Sequence, residues 1–383
     1  MKRLKMSALL RGDVILTTTA AAVSKAIRWG TKSDISHAMI CVQHGLVIDA
    51  TSEGVHARNT QRLFFEDGCA LHVLRLKAGL TPEQADQVCL FVRQGIGSEY
   101  STREAVRSVI GGSDQWTRKQ FCSRLVAQAY ASAGIKLVDD PNYCAPADLG
   151  RSALLTAVPS AVDIVSAEET ARWAAHSDST EAMRSAINAV LEGARKRDNG
   201  IQTFEDIDPY LIEHQYEDAY FADLLASSGY LTVWQLNTER NRWQYEDELL
   251  AELPFHECEN YCRGTVKDDE IGPHRYIINR GAYRGLSHYY KLTWFKLLFD
   301  LYDLLWGEYR HRVRVARRWL EANGLVETAR DNILLPHSKE WFAAMQLWDP
   351  VRVAQTKFMI DDAGRDDVCS VCGDDPAADY RLE

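Results

Sequence analysis

The chain has no long uninterrupted apolar run. Its N-terminus, Met1-Lys2-Arg3-Leu4-Lys5-Met6-Ser7-Ala8-Leu9-Leu10-Arg11, is basic but lacks the apolar stretch of a signal peptide. The most apolar later segment, Leu292 to Trp306, is broken by Lys296, Asp300 and Asp303, which excludes a transmembrane helix there. Excess positive charge is missing too: 44 Lys and Arg against 54 Asp and Glu leave a net charge of −10, which argues against a general nucleic-acid binder. No internal repeat and no low-complexity stretch interrupts the sequence. What is present is an ordinary globular composition, 46% hydrophobic and 26% charged over 383 residues, enough for two domains. A cytoplasmic location is the expectation. There the nine cysteines would be thiols or metal ligands rather than disulfides.

Periodicity divides the chain into two textures. Residues 12 to 76 read as β, with strands expected at Gly12 to Thr17, His37 to Val42, Leu46 to Thr51 and Cys69 to Leu76, and a small helix over Ala20 to Trp29. Gln43-His44-Gly45 between two apolar runs is a hairpin signal. Thr81-Pro82-Glu83-Gln84 starts a helix, with proline at its first position, and Gly95 ends it. A second helix is expected from Ser101 to Gly111-Gly112. A third begins at Cys122 and is capped by Gly134. Pro141 to Pro159 reads as loop with a helical turn around Leu149. Beyond Pro159 helical patterns dominate. Leu292, Phe295, Leu298, Leu301, Leu305 and Tyr309 recur at three- and four-residue steps, which predicts one helix from Leu286 to Ala322 with an apolar, core-facing stripe. The expected domains are therefore 1–160 and 161–383.

Chemistry concentrates at Cys122. A thiol at a helix N-terminus has its thiolate favoured by free N–H groups and the helix dipole. A cysteine hydrolase also needs an imidazole to accept and deliver the proton, and a third group to orient that imidazole. His37 opens an apolar strand and is the candidate base. Asp49, an acid within the apolar run Val47-Ile48-Asp49-Ala50, is the candidate third member. Hairpin geometry tests Asp49. A two-residue loop at His44-Gly45 pairs Ile40 with Asp49 and sends the carboxylate to the face opposite His37. A bulged turn with Gly45 in the left-handed region pairs Met39 with Asp49 instead, which places it diagonal to His37 at roughly 7 Å between Cα atoms. The triad requires the bulged turn.

Taken in order, these segments resemble the circularly permuted branch of the NlpC/P60 superfamily of papain-like hydrolases, over about the first 160 residues. Gly12-Asp13-Val14-Ile15-Leu16 is similar to the first strand of that domain and Ser36-His37-Ala38-Met39-Ile40 to its histidine strand. Phe121-Cys122-Ser123-Arg124-Leu125-Val126, followed by Tyr130, is similar to its nucleophile helix. Pro146-Ala147-Asp148-Leu149 and Ser152 resemble its closing loop. The resemblance implies an α+β fold: a permuted papain-like domain with an antiparallel sheet packed on the nucleophile helix, then a mostly helical domain. It implies catalytic roles for Cys122, His37 and Asp49, and for Tyr100 in Gly97-Ser98-Glu99-Tyr100 as an oxyanion donor, with no catalytic cofactor. The implied activity is hydrolysis of an amide or ester carbonyl through an acyl-enzyme, in a cytosolic peptidase or amidase. Two other readings stay open: an inactive papain-like domain in a binding or scaffold protein, and a lipid-directed acyltransferase or thioesterase. Substrates would accordingly be a peptide, a protein or an acyl lipid, and the helical domain could dock a protein partner.

The second domain carries a candidate structural zinc site. Cys369-Ser370-Val371-Cys372-Gly373 has the spacing of a zinc knuckle. Two further ligands are needed. Cys258 and Cys262, four apart on one helix face, with His256 and His274 nearby, are the second group.

Overall fold

The computed structural model describes residues 1–18, 33–43, 45–101, 119–175, 178–271, 275–325, 338–346 and 352–354. The helices expected at Ala20 to Trp29 and from Ser101, together with His274, Cys369 and Cys372, lie outside the described residues. The chain divides into two compact units, Met1–Tyr210 and Leu211–Glu383. The first is an antiparallel-sheet unit and the second is mostly helical, the α+β division that the two textures imply.

In the first unit, strands β1 (Lys2–Leu4), β2 (Val14–Thr17), β3 (His37–Gln43), β4 (Leu46–Thr51), β5 (Gly54–Asn59), β6 (Phe64–Phe65), β7 (Leu71–Leu76), β8 (Leu155–Ala157) and β9 (Val162–Ile164) form two sheets. Six strands run in the order β5-β4-β3-β2-β7-β8, and three in the order β6-β1-β9. Paired strands are antiparallel throughout. Helix α1 (Pro82–Gln94) starts as the sequence predicts: the Thr81 hydroxyl accepts from the Gln84 N–H and the Gln84 side chain accepts from the Thr81 N–H. Helix α2 (Cys122–Ser132) buries nearly its whole circumference. Leu125, Val126, Ala129 and Tyr130 pack with Ala38, Ile40, Ile48 and Val55 of the sheet and with Val88 and Val92 of α1. Each fully buried aliphatic side chain there contributes on the order of 1.5–3 kcal/mol. A buried hydrogen bond, Tyr130 Oη to the Gly12 carbonyl at 2.6 Å, pins α2 to the chain entering β2.

Three sequence expectations change here. Leu155–Ala157, expected as loop, is a strand that pairs with β7, and Val162–Ile164, in the region expected to be helical, is a strand that pairs with β1. Both are three residues long, too short to show a period. The first unit also extends to Tyr210, past the texture change at Pro159. Helix α3 (Pro146–Arg151) is followed by α4 (Ala167–Ala174) and α5 (Ser179–Arg195), and α5 packs on β5. Asn188 Nδ2 donates to the Glu53 carbonyl, and Arg195 donates to the carbonyls of Gly97 and Gln202.

The second unit is built from α6 (Phe204–Glu213), which crosses the boundary, α7 (Asp218–Ser227), α8 (Trp234–Arg240), α9 (Asp247–Ala251), α10 (Phe255–Ile271), α11 (Arg275–Tyr290), α12 (Thr293–Ala322) and α13 (Lys339–Met345). The single helix expected from Leu286 to Ala322 is two. Lys291 takes a positive φ of 54° and Leu292 is extended, which separates α11 from α12. Nothing local marks the break, because Leu292 offers no capping oxygen. The cap comes from α7: the Asp218 carboxylate accepts from the N–H groups of Thr293 and Trp294 at 2.8 and 2.9 Å. The end of α12 is local and as expected, with Gly324 at a φ of 67° just past it.

Replacing Asp218 with alanine removes both acceptors and is expected to destabilise the helical unit by about 1 kcal/mol. Asp218→Asn keeps an acceptor and most of the stability. Amide exchange at Thr293 and Trp294 checks this; rates unchanged in Asp218→Ala would contradict the non-local cap.

Candidate active site

Cys122 is the first residue of α2, and the preceding Phe121 is extended with no side-chain cap. The opening N–H groups of the helix thus keep no local acceptor, and their dipoles favour negative charge on the sulfur. The approach to Cys122 is clamped by backbone. Gln120 donates to the Glu99 carbonyl and Ser101 donates to the Gln120 carbonyl, both at 2.8 Å, which forms a parallel bridge between Tyr100 and Gln120. The same Gly97–Ser101 segment docks on β5: Gly97 donates to the Val55 carbonyl at 2.9 Å and Val55 to the Ser98 carbonyl at 3.0 Å. Gly54, at a φ of 96°, permits that approach, since a Cβ there would lie 2.8 Å from the Ser98 oxygen. Arg124, fully buried, holds the other side. It donates to the carbonyls of Lys119 and Asn142 and stacks over the rings of Phe121 and Tyr143.

His37 is the first residue of β3, so its ring sits at the end of the strand. Its Nε2 lies 2.8 Å from Asp49 Oδ2, and both residues are buried. The register that allows this contact is Met39 opposite Asp49. It arises in an unforeseen way. Gln43 still pairs with Leu46, the first pair of the alternative register, and the register then shifts between Gln43 and Cys41, where Val42 is the extra residue. Gly45 takes a φ of 75°. With Nε2 engaged by Asp49, Nδ1 is the ring nitrogen left for the thiol, and Cys122 is near enough for a thiolate there to raise the imidazole.

Electrostatics favours a charged pair. Burial works against an imidazolium at His37, but a Cys122 thiolate and the Asp49 carboxylate outweigh it and raise the group from 6.5 to about 10. Burial works against the Asp49 carboxylate as well; the bond and charge of His37, then Arg58 and His56, bring it down to about 2. Burial pushes the thiols of Cys41, Cys144 and Cys262 up to about 12. Tyr100 is mostly buried against the main core, and burial followed by the charge of a Cys122 thiolate pushes its phenol up, so it is a donor rather than a phenolate.

Two residues of the site escaped the sequence reading. Arg58 Nε lies 3.0 Å from each Asp49 oxygen. His56 is paired directly across from Asp49. The signal was present in Gly54-Val55-His56-Ala57-Arg58, a period-two alternation just after a tight turn, which puts His56 and Arg58 on the face of Asp49. As for a metal, Cys258 and Cys262 sit in an apolar cluster with Leu250, Val315, Ala316 and Leu320, and the Cys258 thiol donates to the Leu250 carbonyl at 3.0 Å. His256 is exposed. Among the described residues no group of three or more His, Cys, Asp and Glu could hold a metal ion, and no helix is long and apolar enough to cross a membrane.

Residues 8–144 match the model of a family described as permuted papain-like amidase enzymes, YaeF/YiiX, C92 family. That span contains Cys122, His37, Asp49 and Tyr100. The solved structure of the metalloprotein yiiX from Escherichia coli O157:H7 is similar, at 18% identity over 39% of this chain and 95% of that one, with a TM-score of 0.29. No curated protein matches the chain.

The two shifts predict a pH dependence of stability. Asp49 is depressed, so its contribution is fully present above 3.8 and is lost as pH falls through about 2. His37 is raised, so its contribution is fully present below 6.5 and is lost as pH rises through about 10. The Tm advantage of the native chain over a His37→Gln/Asp49→Asn variant is expected to be largest between 3.8 and 6.5 and to shrink toward pH 10. An advantage that grows with alkalinity in calorimetry would contradict the charged pair.

Proposed function

We propose that this chain, whose residues 8–144 form a permuted papain-like amidase domain of the YaeF/YiiX, C92 family, is a cytosolic thiol hydrolase that cleaves an amide or ester carbonyl through an acyl-enzyme on Cys122. The observation that carries the reading is the 2.8 Å contact between His37 Nε2 and Asp49, which leaves the other ring nitrogen for a thiol at an uncapped helix N-terminus. In this reading Nδ1 of His37 takes the Cys122 proton and the thiolate adds to the carbonyl carbon. The Cys122 N–H and the Tyr100 hydroxyl donate to the oxyanion. Collapse breaks the carbon–nitrogen or carbon–oxygen bond, and His37 returns the proton to the leaving group. Water, deprotonated by His37, then releases the acid and regenerates the thiol. Asp49 keeps the proton on Nε2 throughout and so orients the ring.

A peptide or protein amide is the favoured substrate, with Cys122, His37, Asp49 and Tyr100 carrying the chemistry. The first test needs no substrate. Iodoacetamide is expected to alkylate Cys122 faster than Cys41, Cys144 or Cys262, and His37→Ala to slow it about tenfold or more. Labelling that is indifferent to His37 in peptide mass mapping would sink the catalytic reading.

With p-nitrophenyl acetate a burst equal to the chain concentration is expected, and Cys122→Ala should lower turnover by a thousandfold or more, on the order seen when a catalytic nucleophile is removed. Asp49→Asn keeps a polar group beside Nε2 but removes the charge, and both it and Asp49→Ala should lose about a hundredfold or more. An Asp49→Asn rate within about tenfold of the native one would argue that Asp49 acts without its charge.

A further inference from the structure

The carboxylate that orients His37 is itself surrounded, and its neighbours are not equivalent. On β4, Asp49 faces His37 from β3, and His56 and Arg58 from β5. Arg184 of α5 acts on His56 through its charge and is itself paired with Glu53 and Glu181. Cys122 in turn acts on His37, raising it when the thiol is ionised. Asp49 is 1% exposed, so as an anion it needs compensating charge or hydrogen bonds close by.

Neither imidazole supplies that steadily. His56 Nδ1 is 3.0 Å from the Gly54 carbonyl, an acceptor, so the ring proton sits on Nδ1. Its Nε2, 3.5 Å from Asp49 Oδ1, then carries a lone pair and no hydrogen, and it has no hydrogen-bond partner among the described residues. His37 offers Asp49 a positive charge only while it holds both protons; when neutral it offers the Nε2–H hydrogen bond alone. Each time it gives a proton to a leaving group it becomes neutral, and a buried carboxylate beside two neutral imidazoles binds a proton more readily. Arg58 is different because a guanidinium does not deprotonate. Its Nε is equidistant from both oxygens, at 3.0 Å, on the diagonal site set by the Val47–Arg58 pair of β4 and β5.

We propose that Arg58 is a positioning residue of the site, which keeps Asp49 an anion aimed at His37 through the half of the cycle in which His37 is neutral. The inference rests on the thiol-hydrolase reading and adds a fourth member that acts through Asp49 without touching the substrate. Removing Arg58 should let Asp49 protonate in the mildly acid range. The imidazolium then loses the negative charge beside it, and the thiolate it stabilises is lost at a higher pH.

The experiment is the pH dependence of Cys122 alkylation by iodoacetamide in the full chain, followed by peptide mass mapping. Arg58→Met, which keeps much of the apolar stem, should move the acid limb upward by about one pH unit. Arg58→Lys restores the charge and should bring the limb back most of the way. In an Asp49→Asn background, Arg58→Met should add no further shift. The proposal is overturned if the Arg58→Met limb coincides with the native one, if lysine fails to rescue it, or if the shift persists without Asp49. His37→Ala keeps the two readings apart. If it leaves alkylation unchanged, the hydrolase reading fails; if it slows alkylation while Arg58→Met leaves the limb in place, only the role of Arg58 fails.

Discussion

One extra residue in β3 determines whether a site exists. Val42 bulges out of the ladder between Cys41 and Gln43, and from there on every pair of β3 and β4 is displaced by one. Because side chains alternate across a strand, that displacement moves Asp49 from the far face of the sheet to the face of His37. Without it Asp49 would pair with Ile40, and His37 would lose the acceptor that now lies at 2.8 Å. The neighbouring hairpin transmits the choice. Once Asp49 is on this face, the regular β4–β5 register brings His56 across from it and Arg58 to its diagonal. Four polar side chains therefore depend on one backbone irregularity.

Cys122 is held by a second device. Its helix is uncapped, and the segment leading into it is clasped by Glu99 and Ser101, which belong to a stretch bonded in turn to the edge of β5. The edge strand that carries Arg58 and His56 thus also anchors the Tyr100 segment. This ties both halves of the site to β5, with Gly54 as the point of closest approach. Helix α5 braces the same stretch through Arg195, which is the physical reason that the compact unit runs well past residue 160.

The helical unit is ordered by similar long-range contacts. Its longest helix starts where Asp218 accepts from Thr293 and Trp294, some 75 residues away in the chain. Cys258 and Cys262, on one helix face as their spacing implies, pack among apolar side chains, and a thiol there donates to a carbonyl eight residues back.

Local chemistry was enough for much of this. The capping box at Thr81, the glycines that follow α2 and α12, the β-to-helix change of texture, Cys122 at a helix start and His37 at a strand start each depend on neighbours within a few residues, so the sequence alone determined them. Strands β8 and β9 were not legible, because three residues carry no period and only their partners make them strands. The break at Lys291 was not legible either, since its cap comes from another helix. Asp49 stood between: the sequence narrowed it to two registers but held nothing to rank them, because a bulge costs little locally and is selected by the packing of the whole sheet. Arg58 and His56 were written in an alternating pattern whose meaning depended on that same register. The residue types of the site belong to the sequence. That they face one another was decided only by tertiary structure, because a cross-strand contact is a property of the pairing rather than of either strand.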